Sequence, residues 1–111
     1  MNFKREQQGE VVVIHLEGDV MGGPEAGQLN DEINSMLDDG ILKVVIDLGL
    51  VNRMNSSGLG ILINALHTYK NNGGELKLAN PTPLVQNLLE ITKLNDVFEN
   101  YSSVTSAVAS F

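Results

Sequence analysis

Apolar positions along this chain follow two rhythms. Val11 to Leu16 and Lys43 to Leu48 (Lys-Val-Val-Ile-Asp-Leu) are short runs rich in valine and isoleucine, with little strict alternation, bounded by glycine, asparagine or charge. Runs of that kind are strands covered on both faces. Phe3 to Gln8 reads as an edge strand, and a connection as short as Gly9-Glu10 joins only antiparallel neighbours. Glu75 to Ala79 reads as a further strand and Val97 to Glu99 as a short last one.

The other rhythm is helical. Pro24 suits a first helical position, and Leu29, Ile33, Met36 and Leu37 recur at steps of three and four up to a stop at Gly40. A second helix begins near Ser56-Ser57, carries Leu59, Leu62, Ile63, Leu66 and Tyr69 on one stripe, and ends before Asn71-Asn72-Gly73-Gly74. A third runs from about Thr82, with Pro83 in its first turn, to Ile91, and Thr105 to Ser110 forms a short closing helix. The predicted order is β-β-α-β-α-β-α-β-α. Strands joined through crossover helices lie parallel with right-handed connections, so the expected fold is α/β, a mixed, mostly parallel sheet packed with helices. No repeat, linker or low-complexity tract interrupts it, and residues 1–111 read as a single domain.

Composition narrows the function. A chain of 111 residues with 42% hydrophobic content has room and material for one core. Fourteen acids against seven bases leave a net charge of −7, a field that repels phosphate backbones and anionic headgroups, so neither nucleic acid nor membrane insertion is expected. The absence of cysteine removes disulfides and thiolate sites. Met1 to Glu10 is polar where a signal peptide needs an apolar stretch, and a cytoplasmic location is expected.

Catalytic patterns are sparse. His15 and His67 lie on a strand and a helix without a second ligand at metal spacing, and such histidines are ordinarily structural. Gly58-Leu59-Gly60 opens like a dinucleotide fingerprint, but the third glycine would fall at Ile63. Neither serine of Ser56-Ser57 has a glycine two residues before it, as a nucleophile elbow requires. The acids Glu6, Glu10, Asp31, Glu32, Asp38 and Asp39 read as solvated charge, and no cofactor is expected. What stands out is Met54-Asn55-Ser56-Ser57-Gly58-Leu59-Gly60, placed after a buried strand at the mouth of a helix. One serine there suits a helix N-cap. A second serine, and a second glycine within the helix, ask for more; a serine hydroxyl shown at a helix N-terminus sits where negative charge is well received.

Val45-Ile46-Asp47-Leu48 followed by Met54 to Gly60 resembles the strand and the Asp-Ser-Ser-Gly-Leu-Gly signature of the STAS family, the domain shared by sulphate transporters and bacterial anti-sigma factor antagonists. Leu16-Glu17-Gly18-Asp19-Val20 is similar to that family's element ahead of its first helix, although here the aspartate follows the glycine directly, and Leu76 to Phe98 resembles its closing strand and helix. The resemblance implies a single STAS-like domain that is a ligand and substrate, not an enzyme. It implies Ser57 as phosphoacceptor, a GHKL-type serine kinase that is also the anti-sigma factor as partner, and a PP2C-type phosphatase that restores binding. Asp19, Val20, Met21, Gly22 and Gly23, with Asn55, Ser56, Gly58 and Leu59, are the expected partner-binding residues, because both segments follow parallel strands at one edge of the sheet. The expected state is a monomer or weak homodimer. Asn55 stands where the signature has aspartate, which removes a charge and keeps hydrogen-bonding reach. An alternative expectation is a constitutive subunit of a stressosome or a lipid-transport complex, with Ser57 only capping its helix.

Overall fold

The computed structural model describes residues 1–111. Its elements run β1 (Asn2–Gln8), β2 (Val11–Val20), α1 (Pro24–Asp38), β3 (Lys43–Met54), α2 (Ser56–Asn71), β4 (Glu75–Ala79), α3 (Pro83–Ile91), β5 (Asn100–Tyr101) and α4 (Val104–Ala109), the order expected from the sequence. The five strands stand side by side in chain order, with β1 antiparallel to β2 and every other pair parallel. The sheet adds one strand per crossover, so α1, α2 and α3 all begin at its carboxyl edge.

Two apolar layers hold the sheet. Val12, Ile14 and Leu16 of β2 with Val44, Ile46 and Leu48 of β3 face the helices, where Leu29, Ile33 and Met36 of α1 and Leu59, Leu62 and Leu66 of α2 cover them. The alternate positions Val11, Val13, Val45 and Ala79 meet Ala107 of α4 on the other face. This is why both central runs lack strict alternation: each face has a cover. Burying these side chains supplies the main driving force, about 25 cal/mol for each Å² of apolar surface. Lys77 lies under α4 with its Nζ 2.7 Å from Ser110 Oγ and 3.1 Å from the Ser110 carbonyl, and 4.2 Å from the centre of the Phe111 ring. The cation thus meets carbonyl, hydroxyl and aromatic partners in place of water.

Three expectations need correction. The last strand is Asn100–Tyr101, not Val97–Glu99: the Leu78 and Asn80 amides donate to the carbonyls of Glu99 and Tyr101, while the Val97 amide closes a turn onto the Leu94 carbonyl. The last helix spans Val104–Ala109, since Ser103 caps it by accepting from the Ser106 amide at 3.1 Å. β2 and β3 also run past Leu16 and Leu48, to Val20 and Met54, through register shifts at His15/Glu17 and Gly18/Asp19. Each shift leaves an extra residue on β3, which bends and twists the pair.

Candidate functional site

The Asn-Ser-Ser-Gly segment forms where β3 gives way to α2. Asn55, in extended backbone (φ −114°), is the N-cap: its Oδ1 accepts from the Gly58 amide at 2.8 Å, and its own carbonyl accepts from Leu59 at 2.9 Å. This corrects the expected serine cap. Ser56 and Ser57 are instead the first and second residues of the helix, both exposed. Ser57 thereby presents its hydroxyl at the positive end of a 16-residue helix with no acidic residue in its first turn. Replacing Asn55 by alanine should cost about 1 kcal/mol of stability, whereas Asn55→Asp should leave it nearly unchanged, because the two residues cap equally well. Urea unfolding of both variants checks this. With the cap preserved, Asn55→Asp differs from the natural chain at this helix start by its added charge alone.

The segment before α1 is seated directly on this helix end. A Cβ on Gly58 would lie 1.8 Å from the Val20 carbonyl oxygen, so only glycine lets the end of β2 pass this close. Gly22, at φ +92°, brings its backbone against Ser57: a Cβ there would lie 2.8 Å from Ser57 Cβ. The expected partner-binding segments are therefore in mutual contact. Asp19 and Val20, however, are the last residues of β2, and Val20, Gly58 and Leu59 are buried. Those three shape the edge from within; Asp19, Met21, Gly23, Ser56 and Ser57 show on its surface or partly so.

The acids nearest this edge each have a cation of the chain. Arg53 holds Asp19 Oδ2 through Nη2 at 2.7 Å, and that hydrogen bond keeps the Asp19 carboxyl below its ordinary value of 3.8. Glu25 Oε1 accepts from the Met1 amino group at 2.8 Å, which likewise lowers the Glu25 pKa. The Arg53–Asp19 pair is open to water and contributes little stability, whereas the Met1–Glu25 pair is partly buried. Their consequence is electrical, since no unpaired negative charge from Asp19 or Glu25 faces Ser57.

Sequence reasoning missed a polar cluster on the other sheet face. His15 and Asp47 are register partners on β2 and β3, and His15 Nδ1 lies 2.6 Å from Asp47 Oδ2 while Nε2 lies 3.1 Å from Glu6 Oε1. Asp47 Oδ1 accepts from the Gly49 amide at 3.0 Å. Burial alone would lower the His15 pKa, but the bonds to Asp47 and then Glu6 outweigh it, and the net shift is upward from 6.5. His15 is thus fastened to carboxylates on the strands at either side. No group of three or more residues in the structure is placed to hold a metal ion.

The comparisons agree with this architecture. Residues 2–107 match the STAS domain family. BtrV of Bordetella bronchiseptica, which bears the name of an anti-sigma factor antagonist, is 30% identical over 111 residues, covering 100% of this chain and 95% of its own. The crystal structure of a Thermotoga maritima protein superimposes with a TM-score of 0.84 at 23% identity, over 97% of this chain and 92% of that one. SpoIIAA of Bacillus, in its phosphorylated form, gives a TM-score of 0.73 at 21% identity over 98% of both chains. No helix is long and apolar enough to cross a membrane. With residues 2–107 matching its family model and the fold superimposing on the solved structures, the chain belongs to the STAS domain family.

Proposed function

We propose that this chain is an anti-sigma factor antagonist that works by partner switching in the cytoplasm. Unphosphorylated, it binds an anti-sigma factor that is also a GHKL-type serine kinase, over the edge formed by Asp19 to Gly23 and Asn55 to Leu59. The kinase then modifies Ser57: the serine Oγ forms a bond to the γ-phosphorus of ATP, the bond to ADP breaks, and the hydroxyl proton passes to a base of the kinase. A PP2C-type phosphatase reverses the change. The domain is a ligand and substrate in this cycle, not a catalyst.

The observation that carries the reading is the division of labour at the helix start. Asn55 does the capping, so Ser57 is exposed and free of any structural duty there. A phosphoryl group brings about −1.5 to −2 charge to a helix N-terminus, which the domain tolerates and an interface packed over it does not. The likeness to BtrV, and to SpoIIAA, a protein known in unphosphorylated and phosphorylated forms, points the same way.

The test uses a purified anti-sigma factor of the GHKL serine-kinase type. With ATP, phosphate should appear on Ser57 and not on Ser56 by mass spectrometry. In binding assays without ATP, Ser57→Ala should hold its affinity and Ser57→Asp should lose at least tenfold. Tight binding with no phosphate on Ser57 would instead mark the chain as a constitutive subunit.

A further inference from the structure

Gly60 has no explanation inside the chain. It is the fifth residue of α2, beyond the capped first turn, and a Cβ built there meets nothing within 4 Å. Gly58, two residues earlier, is required by the Val20 carbonyl. Gly60 is required by no neighbour, and glycine at an exposed helix-interior position weakens the helix relative to alanine. An unforced glycine of this kind keeps space free for something outside the fold.

The space it keeps is specific. Gly60 lines a groove of about 250 Å³ between α1 and α2, with Ser57 and Asn64 on its own helix and Ala26, Leu29 and Asn30 across it. The lining contains no charged side chain, in a chain of net charge −7. Asn64 Nδ2 donates to Asn30 Oδ1 at 3.3 Å. That bond leaves the Asn30 amide group as donor and the Asn64 Oδ1 as acceptor, and one donor beside one acceptor is the complement of the C=O and N–H of one residue in extended main chain.

We propose that Gly60, with Asn30 and Asn64, is a specificity-determining element: the α1–α2 groove seats a stretch of the anti-sigma factor's main chain, continuous with the contact over Ser57. The inference rests on the partner-switching reading. The partner segment is uncharged and carries small side chains where it crosses Gly60, and the two asparagines take its peptide carbonyl and amide. Partners with a bulky or charged residue at that point are rejected. Because Ser57 forms one wall of the groove, a phosphoryl group there stands beside the seated segment.

The experiment compares Gly60→Ala, Asn30→Ala and Asn64→Ala with Ser57→Ala and Ser57→Asp, by calorimetric titration with the same purified anti-sigma factor and by thermal unfolding. Gly60→Ala should bind at least tenfold more weakly while its Tm rises, a combination that a merely structural role does not produce. Asn30→Ala and Asn64→Ala should each weaken binding severalfold, and the double variant should lose less than the product, because both serve the main chain of one residue. Gly60→Ala binding within twofold of wild type overturns the proposal, as does weaker binding accompanied by a fall in Tm. The two readings separate cleanly. Loss of binding in Ser57→Asp with full binding in Gly60→Ala removes the groove and keeps the switch; the reverse removes the switch and keeps the groove.

Discussion

Gly58→Ala should destabilise the fold by about 3 kcal/mol, the upper end for overpacked sites, because the added methyl meets main chain and not a flexible side chain. The Val20 carbonyl that it would strike, 1.8 Å from the new Cβ, belongs to a residue with no exposed surface. Relief requires α2 to withdraw from the end of β2, and Leu59 and Leu62, both in the main core, move with it. Urea unfolding should show a lower midpoint with little change in slope. Gly60→Ala, chemically the same change two residues on, should shift the midpoint the other way. A loss below about 0.5 kcal/mol in Gly58→Ala, the range of ordinary surface changes, would show that the edge is not seated as described.

Asp47→Ala should cost about 2 to 3 kcal/mol, since it leaves the Gly49 amide and the His15 ring without their acceptor in a partly buried setting. The effect carries a pH signature. The folded state raises the His15 pKa, so the stabilisation this histidine gives is fully present below its unfolded value near 6.5 and fades as pH rises through the higher folded value. Wild type should therefore lose stability relative to Asp47→Ala as pH rises above about 6.5, with Glu6 sustaining a smaller remnant. Unfolding free energies at several pH values, beside the titration of the His15 ring protons by NMR, check both parts. A pH-independent difference between the two proteins would remove the coupling.

The helices and the cores of the central strands were legible because their periods are unambiguous; Val11 to Ile14 and Val44 to Ile46 are buried on both faces and read as such from composition. The outer halves of β2 and β3 were not. Glu17-Gly18-Asp19 and Gly49 to Arg53 carry glycine and charge because the ladder there is bulged and its outer face partly open, so strand pairing persists without an apolar run to announce it. β5 has two residues and is held by the Leu78 and Asn80 amides donating to the carbonyls of Glu99 and Tyr101, which no local pattern encodes. The Asn-Ser-Ser run offered three residues able to cap a helix, and the choice among them follows from where β3 ends, at Met54. His15 and Asp47 are 32 residues apart, and only the parallel register of β2 and β3 makes them partners. Gly60 was visible as an anomaly in the sequence; its open surroundings were not.

The shared edge at which α1, α2 and α3 begin gives the molecule an electrical polarity that its net charge conceals. Each helix N-terminus carries roughly half a positive charge, and three together amount to about +1.5. None is offset locally by an unpaired acid: the caps are Gly23, Asn55 and Thr82, and the one acid in a first turn, Glu25, is held by the Met1 amino group. A chain of −7 thus approaches other proteins with its least negative end distinguished from the rest, and long-range forces orient it before any contact forms. A phosphoryl group on Ser57, at about −1.5 to −2, is of the size needed to erase that polarity, so its presence would be felt at a Debye length, about 8 Å at physiological salt, and slow the encounter itself.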